Sequence, residues 1–414
     1  MGNNIDGGVL FEAYHRAIKG SKWKQSTQKY GSEVVMNLSA IQHELETGTY
    51  KTGERSTFTV HERGKTRLIH GNMVEDRIVR HVLCDEVLTP TLGKYLIYDN
   101  GASQVGKGIA FTRKRLEVHL RKYFRRYGNH GYILLVDFSK YYDNIRHEIA
   151  FQQIAEHVHD ETALAVLREV LDNMKIDVSY MSDEEYAGCM DRKFDSVKYS
   201  EIPNSLKTGE KFMRKCISIG DQTAQNIGIF YPTPVDNYVK IVRGQKYYGR
   251  YMDDSYVISP DKEELKDILW GIREQCAKLG IFVNEKKTQI YRIDRPFHFL
   301  QNSYYLTDTG KVVVKINKKR IVAMRRKLRK LAVKLENGET QYHDIEQMYR
   351  SWMGGYYKIM SRKQRDNLNN LYNDLFIKPL IEGGRRFYEQ HTPNRPDGRN
   401  KDHGGAERKQ LHHQ

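Results

Sequence analysis

Three aspartates stand out for their surroundings. Asp137 nearly closes the run Tyr132-Ile-Leu-Leu-Val-Asp-Phe138, which is otherwise apolar, and Asp253 and Asp254 sit where two β-type runs, residues 246–251 and 255–259, meet after Met252. A short, continuous apolar run has the look of a buried central strand, and the two β-type runs read as a hairpin with a carboxylate pair at its tip. Hard divalent cations such as Mg²⁺ take carboxylate oxygens on rigid backbone, and two such ions can activate an attacking hydroxyl and steady a leaving pyrophosphate. An Asp-Asp turn alone is more often solvent-exposed punctuation. Its weight here comes from Asp137, which only a fold that unites distant strands can bring beside it.

Lys65 and Arg67, two apart on a β-type run, project to one face and can both reach phosphate oxygens. Without further support they read as a solvated strand edge, where lysine is common. Gly101 to Gly108 nearly spells a phosphate-binding Walker loop, but the last position is Gly where Ser or Thr should ligate Mg²⁺, and no apolar strand precedes it. That near-match is chance.

The elements that must position these residues can be read in outline. Residues 1 to about 50 mix helical spacing with basic and aromatic side chains such as Lys22, Trp23 and Lys24. Residues 56–60 and 66–70 form a plausible hairpin, and 75–88 return to a helical pattern. A helix is expected after Asp137, from the spacing of Ile145 with Ile149 and Ile154 with Val158. Residues 171–210, polar and locally acidic, read as an insertion or long loop. Beyond Lys311 the composition turns to basic helix: Ile321, Met324, Leu328, Leu331 and Leu335 mark a packing face, while Lys318, Lys319, Arg325, Arg326 and Lys330 lie on the others. Residues 383–414 are almost devoid of apolar side chains and read as a flexible basic tail.

With 414 residues and 39% hydrophobic content the chain can bury two or three packed subdomains. Its 68 Lys and Arg against 52 Asp and Glu, a net charge of +16, favour a polyanionic partner, nucleic acid before anionic membrane. The first residues lack the pattern of a signal peptide, and no apolar run is long enough to span a bilayer. Cys84, Cys189, Cys216 and Cys276 are dispersed, which argues against a disulfide framework or a zinc site. A cytoplasmic protein with no membrane partner is expected.

The segments Tyr251-Met252-Asp253-Asp254 and Leu135-Val-Asp-Phe-Ser-Lys-Tyr-Tyr142 resemble the YxDD signature and first catalytic block of reverse transcriptases. Gly64 to Ile69 resembles the fingers segment of that family, Leu279 to Thr288 the block whose lysine, Lys287 here, lies near the triphosphate, and residues 297–306 the primer-grip hairpin. Tyr349 to Gly354 is similar to a thumb motif, so the resemblance covers roughly residues 30–375. Two segments are closest to the bacterial group II intron and diversity-generating retroelement enzymes. Tyr98 to Gly108 with Thr112-Arg113 is one; the other is Ile219-Gly220-Asp-Gln-Thr-Ala224-Gln225, which is similar to the IGxxxSQ form rather than QGxxxSP but carries Ala224 where serine is usual.

The resemblance implies an α+β right-hand polymerase: an N-terminal segment and fingers over 1–125, a palm with an antiparallel sheet over 126–310 holding the 171–210 insertion, and a helical thumb over 311–382. It implies RNA-directed DNA synthesis with two Mg²⁺ ions, or Mn²⁺ in their place, on Asp137, Asp253, Asp254 and the Phe138 backbone. Nucleotide contacts would come from Lys65, Arg67, Tyr142 as an aromatic gate against a 2′-hydroxyl, Ile219, Gly220, Gln225 and Lys287. Nucleic-acid contacts would come from Tyr251, Met252, Lys318, Lys319, Arg325, Arg326 and Lys330. Template RNA, a DNA or RNA primer and dNTPs are the implied partners, with a structured non-coding RNA and a small basic accessory protein added by the retroelement likeness. An antiphage-defence reverse transcriptase shares all of this chemistry. A non-catalytic RNA-binding protein of maturase type gains nothing from carboxylates facing phosphate.

Overall fold

A computed structural model of the chain describes residues 5–62 and 65–381, with the backbone alone for Glu62 and Lys65. Two compact units follow one another in sequence, Met1–Val314 and Lys315–Gln414. The expected tail, 383–414, lies outside the described residues.

The first unit opens with the helices Gly7–Ile18, Gln25–Ser32 and Val34–Thr47. Asp6 caps the first by accepting from the Val9 amide at 2.9 Å, and Gly48, at φ 68°, ends the third in the left-handed conformation glycine favours. Strands β1 (Ser56–Glu62) and β2 (Lys65–Gly71) form the expected antiparallel hairpin. The following helix Val74–Val82 runs on through residues 83–92.

The central strand β3 (Tyr132–Ser139) is buried along almost its whole length. Alternation explains its unbroken apolar sequence: Leu134, Val136 and Phe138 join the main apolar cluster, while Ile133 and Leu135 join a second cluster on the opposite face. The helix Ile109–Tyr127 covers that second face with Leu116, Leu120 and Tyr123.

The expected insertion is not a long loop. Between two short paired strands, β4 (Ile176–Asp177) and β5 (Phe212–Met213), the chain forms the helices Asp183–Asp191 and Ser196–Ser200. Val178, Phe194, Met213 and Cys216 give this excursion a small apolar cluster of its own. The capping box of Ser182 and Glu185 starts its first helix, and the buried Lys215 ammonium ends it by donating to the carbonyls of Cys189, Met190 and Arg192. Burial, with the field of Arg146 adding to it, holds that ammonium down to about 8.

The palm sheet is completed by β6 (Tyr248–Tyr251), β7 (Asp254–Ser259), β8 (Phe282–Val283) and β9 (Gln289–Arg292), all antiparallel. β7 lies between β6 and β3; β8 and β9 share the other edge of β3. A three-stranded sheet of β10 (Phe297–Phe299), β11 (Asn302–Leu306) and β12 (Val312–Ile316) follows, so the basic helix starts later than the shift in composition at Lys311 suggests.

The second unit is helical, with Lys318–Glu336, Tyr342–Tyr356 and Arg362–Tyr372 around a cluster that includes Ile321, Met324, Leu328, Tyr349 and Phe376. The expected packing face is therefore correct. Lys318, Lys319, Arg326 and Lys330 are exposed, and Arg325 is half-buried. All four cysteines are free, and no helix among the described residues is long and apolar enough to cross a membrane. The α+β class holds, with an antiparallel palm sheet, a hairpin unit upstream and a helical unit downstream.

Candidate active site

The register of β3 on β7 places Asp137 directly opposite Asp254. Neighbours paired in this way share one face of a sheet, here the face of Leu135 and Tyr256. The β6–β7 hairpin closes on the pair Tyr251 and Asp254, leaving Met252 and Asp253 as a two-residue turn. Such turns need positive φ at their first position, and Met252 has φ 56°, a conformation uncommon for a side chain of this size.

Arg250 holds the turn in that shape. Completely buried, it donates to the Met252 carbonyl at 3.0 Å and to the Ile229 carbonyl at 2.8 Å, and pairs with Asp236 at 2.6 Å. Asp236 is equally buried and also accepts from the Tyr248 hydroxyl at 2.6 Å. Burial opposes the charge on Arg250, yet the field and hydrogen bonds of Asp236 outweigh it and keep the guanidinium pKa raised.

Residues 284–288 wrap Asp137 where the edge of β3 passes from β9 to β8. The Asn284 amide donates to the Asp137 carbonyl at 2.7 Å, and the Asp137 amide donates to the Thr288 hydroxyl at 3.3 Å. The carboxylate accepts from Asn284 Nδ2 at 2.9 Å and from Lys287 Nζ at 2.6 Å. Burial works to lower the Lys287 pKa, but its hydrogen bond to Asp137 and the fields of Asp137, Asp254 and Asp253 win and raise it. Lys287 stays a cation.

A cleft of about 820 Å³ opens beside these groups. Asp137, Phe138, Tyr142, Met252, Asp253 and Lys287 line it together with Arg67, Ile219, Gly220, Gln225 and Tyr251. β2 reaches the site through a bridge of Ile69 to Ile219, and Gly220 needs its glycine because φ is 108° there. Asp221 then caps the helix Gln222–Phe230 through the Ala224 amide and pairs, buried, with Arg80. That helix presents Gln225, which accepts from Ser103 at 3.3 Å. The Tyr142 hydroxyl lies 3.4 Å from Met252 Sδ, and burial, aided by the charge of Asp253, raises its pKa.

Nearly every residue assigned a nucleotide or metal role thus shares one cleft. Two placements differ. Asp254 lines a neighbouring hollow that shares Asp137 and Lys287 with the cleft, and the Lys65 side chain lies outside the described residues. The basic residues of the helix Lys318–Glu336 belong to the other unit. Among the described residues no three His, Cys, Asp or Glu side chains form a metal cage. Mg²⁺ is commonly held by one or two carboxylates with substrate phosphates supplying further oxygens, so Asp137 and Asp253 are a fitting donor set. The Lys287 ammonium on Asp137 already marks a place for positive charge.

Ser196 and Val197, from the excursion, also line the cleft and were missed by sequence reasoning. Asp143 holds Ser196 by accepting from its hydroxyl at 2.8 Å and its amide at 3.3 Å, and Asp195 accepts from the Val197 amide at 3.2 Å. Lys107, in the near-Walker segment, holds its own loop together by donating to the carbonyls of Tyr98 and Asn100 and to Gln104.

A family model described as reverse transcriptase (RNA-dependent DNA polymerase) matches residues 56–301. Among solved structures, telomerase from Candida albicans in complex with a TWJ fragment of telomeric RNA aligns at 13% identity and TM-score 0.43. The alignment covers 86% of this chain and 63% of that one, so the chain spans less than two thirds of the telomerase's length. No curated protein matches the sequence significantly.

Proposed function

Because this chain belongs to the reverse transcriptase family, we propose that it copies RNA into DNA, extending a primer with dNTPs in a right-hand polymerase site. The observation that carries the reading is the convergence of Asp137, Asp253, Tyr142, Arg67, Gln225 and Lys287 on one cleft. No purely RNA-binding role calls for acidic residues at that point.

Divalent metal on Asp137, Asp253 and the Phe138 carbonyl would supply positive charge to an attacking hydroxyl and to a leaving pyrophosphate. The chain's own residues do the rest by positioning. Arg67 offers its guanidinium to phosphate oxygens, and Lys287, already in the cleft, can exchange Asp137 for a phosphate partner. Tyr142 backs the sugar, and a ring there leaves no room for a 2′-hydroxyl. Ile219 stands where most of the family places a glutamine amide. An aliphatic side chain cannot exchange hydrogen bonds with the nascent pair, and one lost bond, worth roughly 0.5–1.5 kcal/mol, lowers nucleotide discrimination about two- to tenfold. That supports an error-prone enzyme of the diversity-generating retroelement type.

Asp253→Asn should abolish Mg²⁺-dependent primer extension on an RNA template while leaving RNA binding nearly intact. Full-length synthesis by this variant refutes the proposal. Ile219→Gln should change the error spectrum on a defined RNA; identical spectra from two active enzymes remove Ile219 from the argument, weaken the retroelement reading and leave the polymerase standing.

A further inference from the structure

The hairpin of β1 and β2 cannot stand by itself. Two strands alone are marginally stable in water, and β1 is exposed at every position from Ser56 to His61. Its footing comes through β2, where Leu68 is buried and Ile69 and His70 are half-buried. Ile69 bridges Ile219, and the helix Ser196–Ser200 of the excursion packs against the same strand. Arg67, on the wall of the nucleotide cleft, belongs to β2 and is only as fixed as these supports make it.

A helix of five residues does not persist without outside contacts, and this one lies well away in sequence from the root of the excursion at β4 and β5. The turn Tyr142–Asn144 supplies what it lacks. Oδ1 of Asp143 accepts from the Ser196 hydroxyl and Oδ2 from its amide, one bond to each oxygen. Asn144 closes a second pair, its Oδ1 accepting from the Phe194 amide at 2.9 Å and its Nδ2 donating to the Phe194 carbonyl at 3.4 Å. Asp143, Asn144, Phe194 and Ser196 are all buried, so water does not compete for these bonds. The ion pair of Lys140 with Asp195, at 3.0 Å, is open to solvent and adds little.

A line of contacts therefore runs from the residues that follow Tyr142, through Ser196, to β2 and Arg67. Ser196 and Val197 themselves line the cleft, so the excursion is part of its wall. Resting on the polymerase reading, we propose that Asp143 is a positioning residue for the incoming nucleotide: by holding Ser196 it props the hairpin strand that presents Arg67 to the triphosphate. Loss of that hold should weaken nucleotide binding and leave primer binding alone. Coupling along such a line is measured by a double-mutant cycle.

The test uses the full chain in steady-state single-nucleotide extension, with Asp143→Leu, Asp143→Asn, Arg67→Gln and the double variant Asp143→Leu with Arg67→Gln. Leucine keeps the branched shape of aspartate and removes both acceptors, so Asp143→Leu should raise KM for dNTP about tenfold, with kcat and primer–template KM unchanged. Asparagine can still accept from the Ser196 amide and donate to its hydroxyl oxygen, so Asp143→Asn should fall in between. Arg67→Gln should likewise raise KM for dNTP about tenfold. Independent effects would multiply to about a hundredfold in the double variant, whereas action through Arg67 holds it near the value of Arg67→Gln alone. Unchanged dNTP KM in Asp143→Leu or Arg67→Gln, a matching rise in primer–template KM, a fall in kcat, or multiplied effects overturns the proposal. Should Asp143→Leu fail to fold, Ser196→Ala, which loses the hydroxyl bond alone and should raise dNTP KM about threefold, decides the question against Arg67→Gln by the same criteria. A wild-type chain that extends no primer sinks the polymerase reading itself and this inference with it, whereas an active wild type with indifferent variants sinks only the role of Asp143.

Discussion

Arg250→Met tests whether the hairpin tip is held by a charge that the sequence alone would place at the surface. Methionine can fill much of the volume, so the main cost is electrostatic. Asp236 would keep its charge at zero exposure with the Tyr248 hydroxyl, at 2.6 Å, in place of the three hydrogen bonds it now accepts from Arg250. Removing one partner of such a buried pair costs roughly 3–5 kcal/mol. A second loss falls on the turn, because the Met252 carbonyl would lose its 3.0 Å donor. Charge-assisted bonds of that kind contribute about 1.5–3 kcal/mol, and the positive φ of Met252 makes the turn dependent on outside support. The two losses can be separated. In Arg250→Met with Asp236→Asn the stranded charge is gone, so denaturant unfolding should recover to within roughly 1–2 kcal/mol of wild type, in line with neutral replacements of buried pairs. Extension should not recover. A displacement of Asp253 that forfeits about 1.4 kcal/mol of transition-state stabilisation leaves kcat at least tenfold down. If kcat returns in step with stability, Arg250 serves the fold alone; if the single variant unfolds like wild type, the pair does not hold the palm.

Three further outcomes can be checked directly. A Cβ added at Gly228 would lie 2.8 Å from the Tyr142 hydroxyl and 3.3 Å from Met252 Sδ, so Gly228→Ala should press the ring into the cleft, raise KM for dNTP several-fold, and be relieved by Tyr142→Phe; wild-type kinetics in the single variant would show that the ring does not border the nucleotide. Burial lowers the His147 pKa from 6.5 to about 4, so the unfolded chain binds its proton first and stability is lost as pH falls from about 6.5 to 4, by at most roughly 3 kcal/mol at 1.36 kcal/mol per unit; His70, also lowered to about 4, adds to the same window, and His147→Gln should flatten the slope of urea midpoints across it. Neutralising Arg325, Arg326 and Lys330 should weaken primer–template binding and reduce the log–log salt slope by about 0.9 for each phosphate no longer neutralised; an unaltered slope makes the helix Lys318–Glu336 an ordinary solvated face.

The sequence is most legible where chemistry restricts residue type. Metal-binding carboxylates, a ring behind a sugar and cations for phosphates admit few substitutes, and their short motifs are visible before any contact is known. The apolar run of β3 is equally readable, because a strand covered on both faces needs apolar side chains at nearly every position. The excursion reads as an insertion or long loop in the sequence because its apolar residues, Val178, Phe194 and Met213, are too scattered to show a period. Its one local sign is the Ser182 and Glu185 capping box.

What escapes altogether are the residues that hold the chemistry in place, and the reason is physical. Arg113 meets the Leu300 carbonyl, Arg250 the Met252 carbonyl, and Asp143 the Ser196 amide. Each contact joins a side chain to main chain, and every residue offers a main-chain carbonyl. The partner's identity therefore leaves no trace, and the arginine or aspartate looks like any surface charge. Positive φ at Met252, Leu300 and Gln301 is hidden for the same reason, since none is a residue that announces a left-handed turn. Of those contacts, two end on turns that line hollows shared with the aspartates, Met252 of β6–β7 and Leu300 of β10–β11. Substitution of Arg250 should therefore act through the position of Asp253 on the alignment of the reacting groups, which is the step that a polymerase built on positioning depends on most.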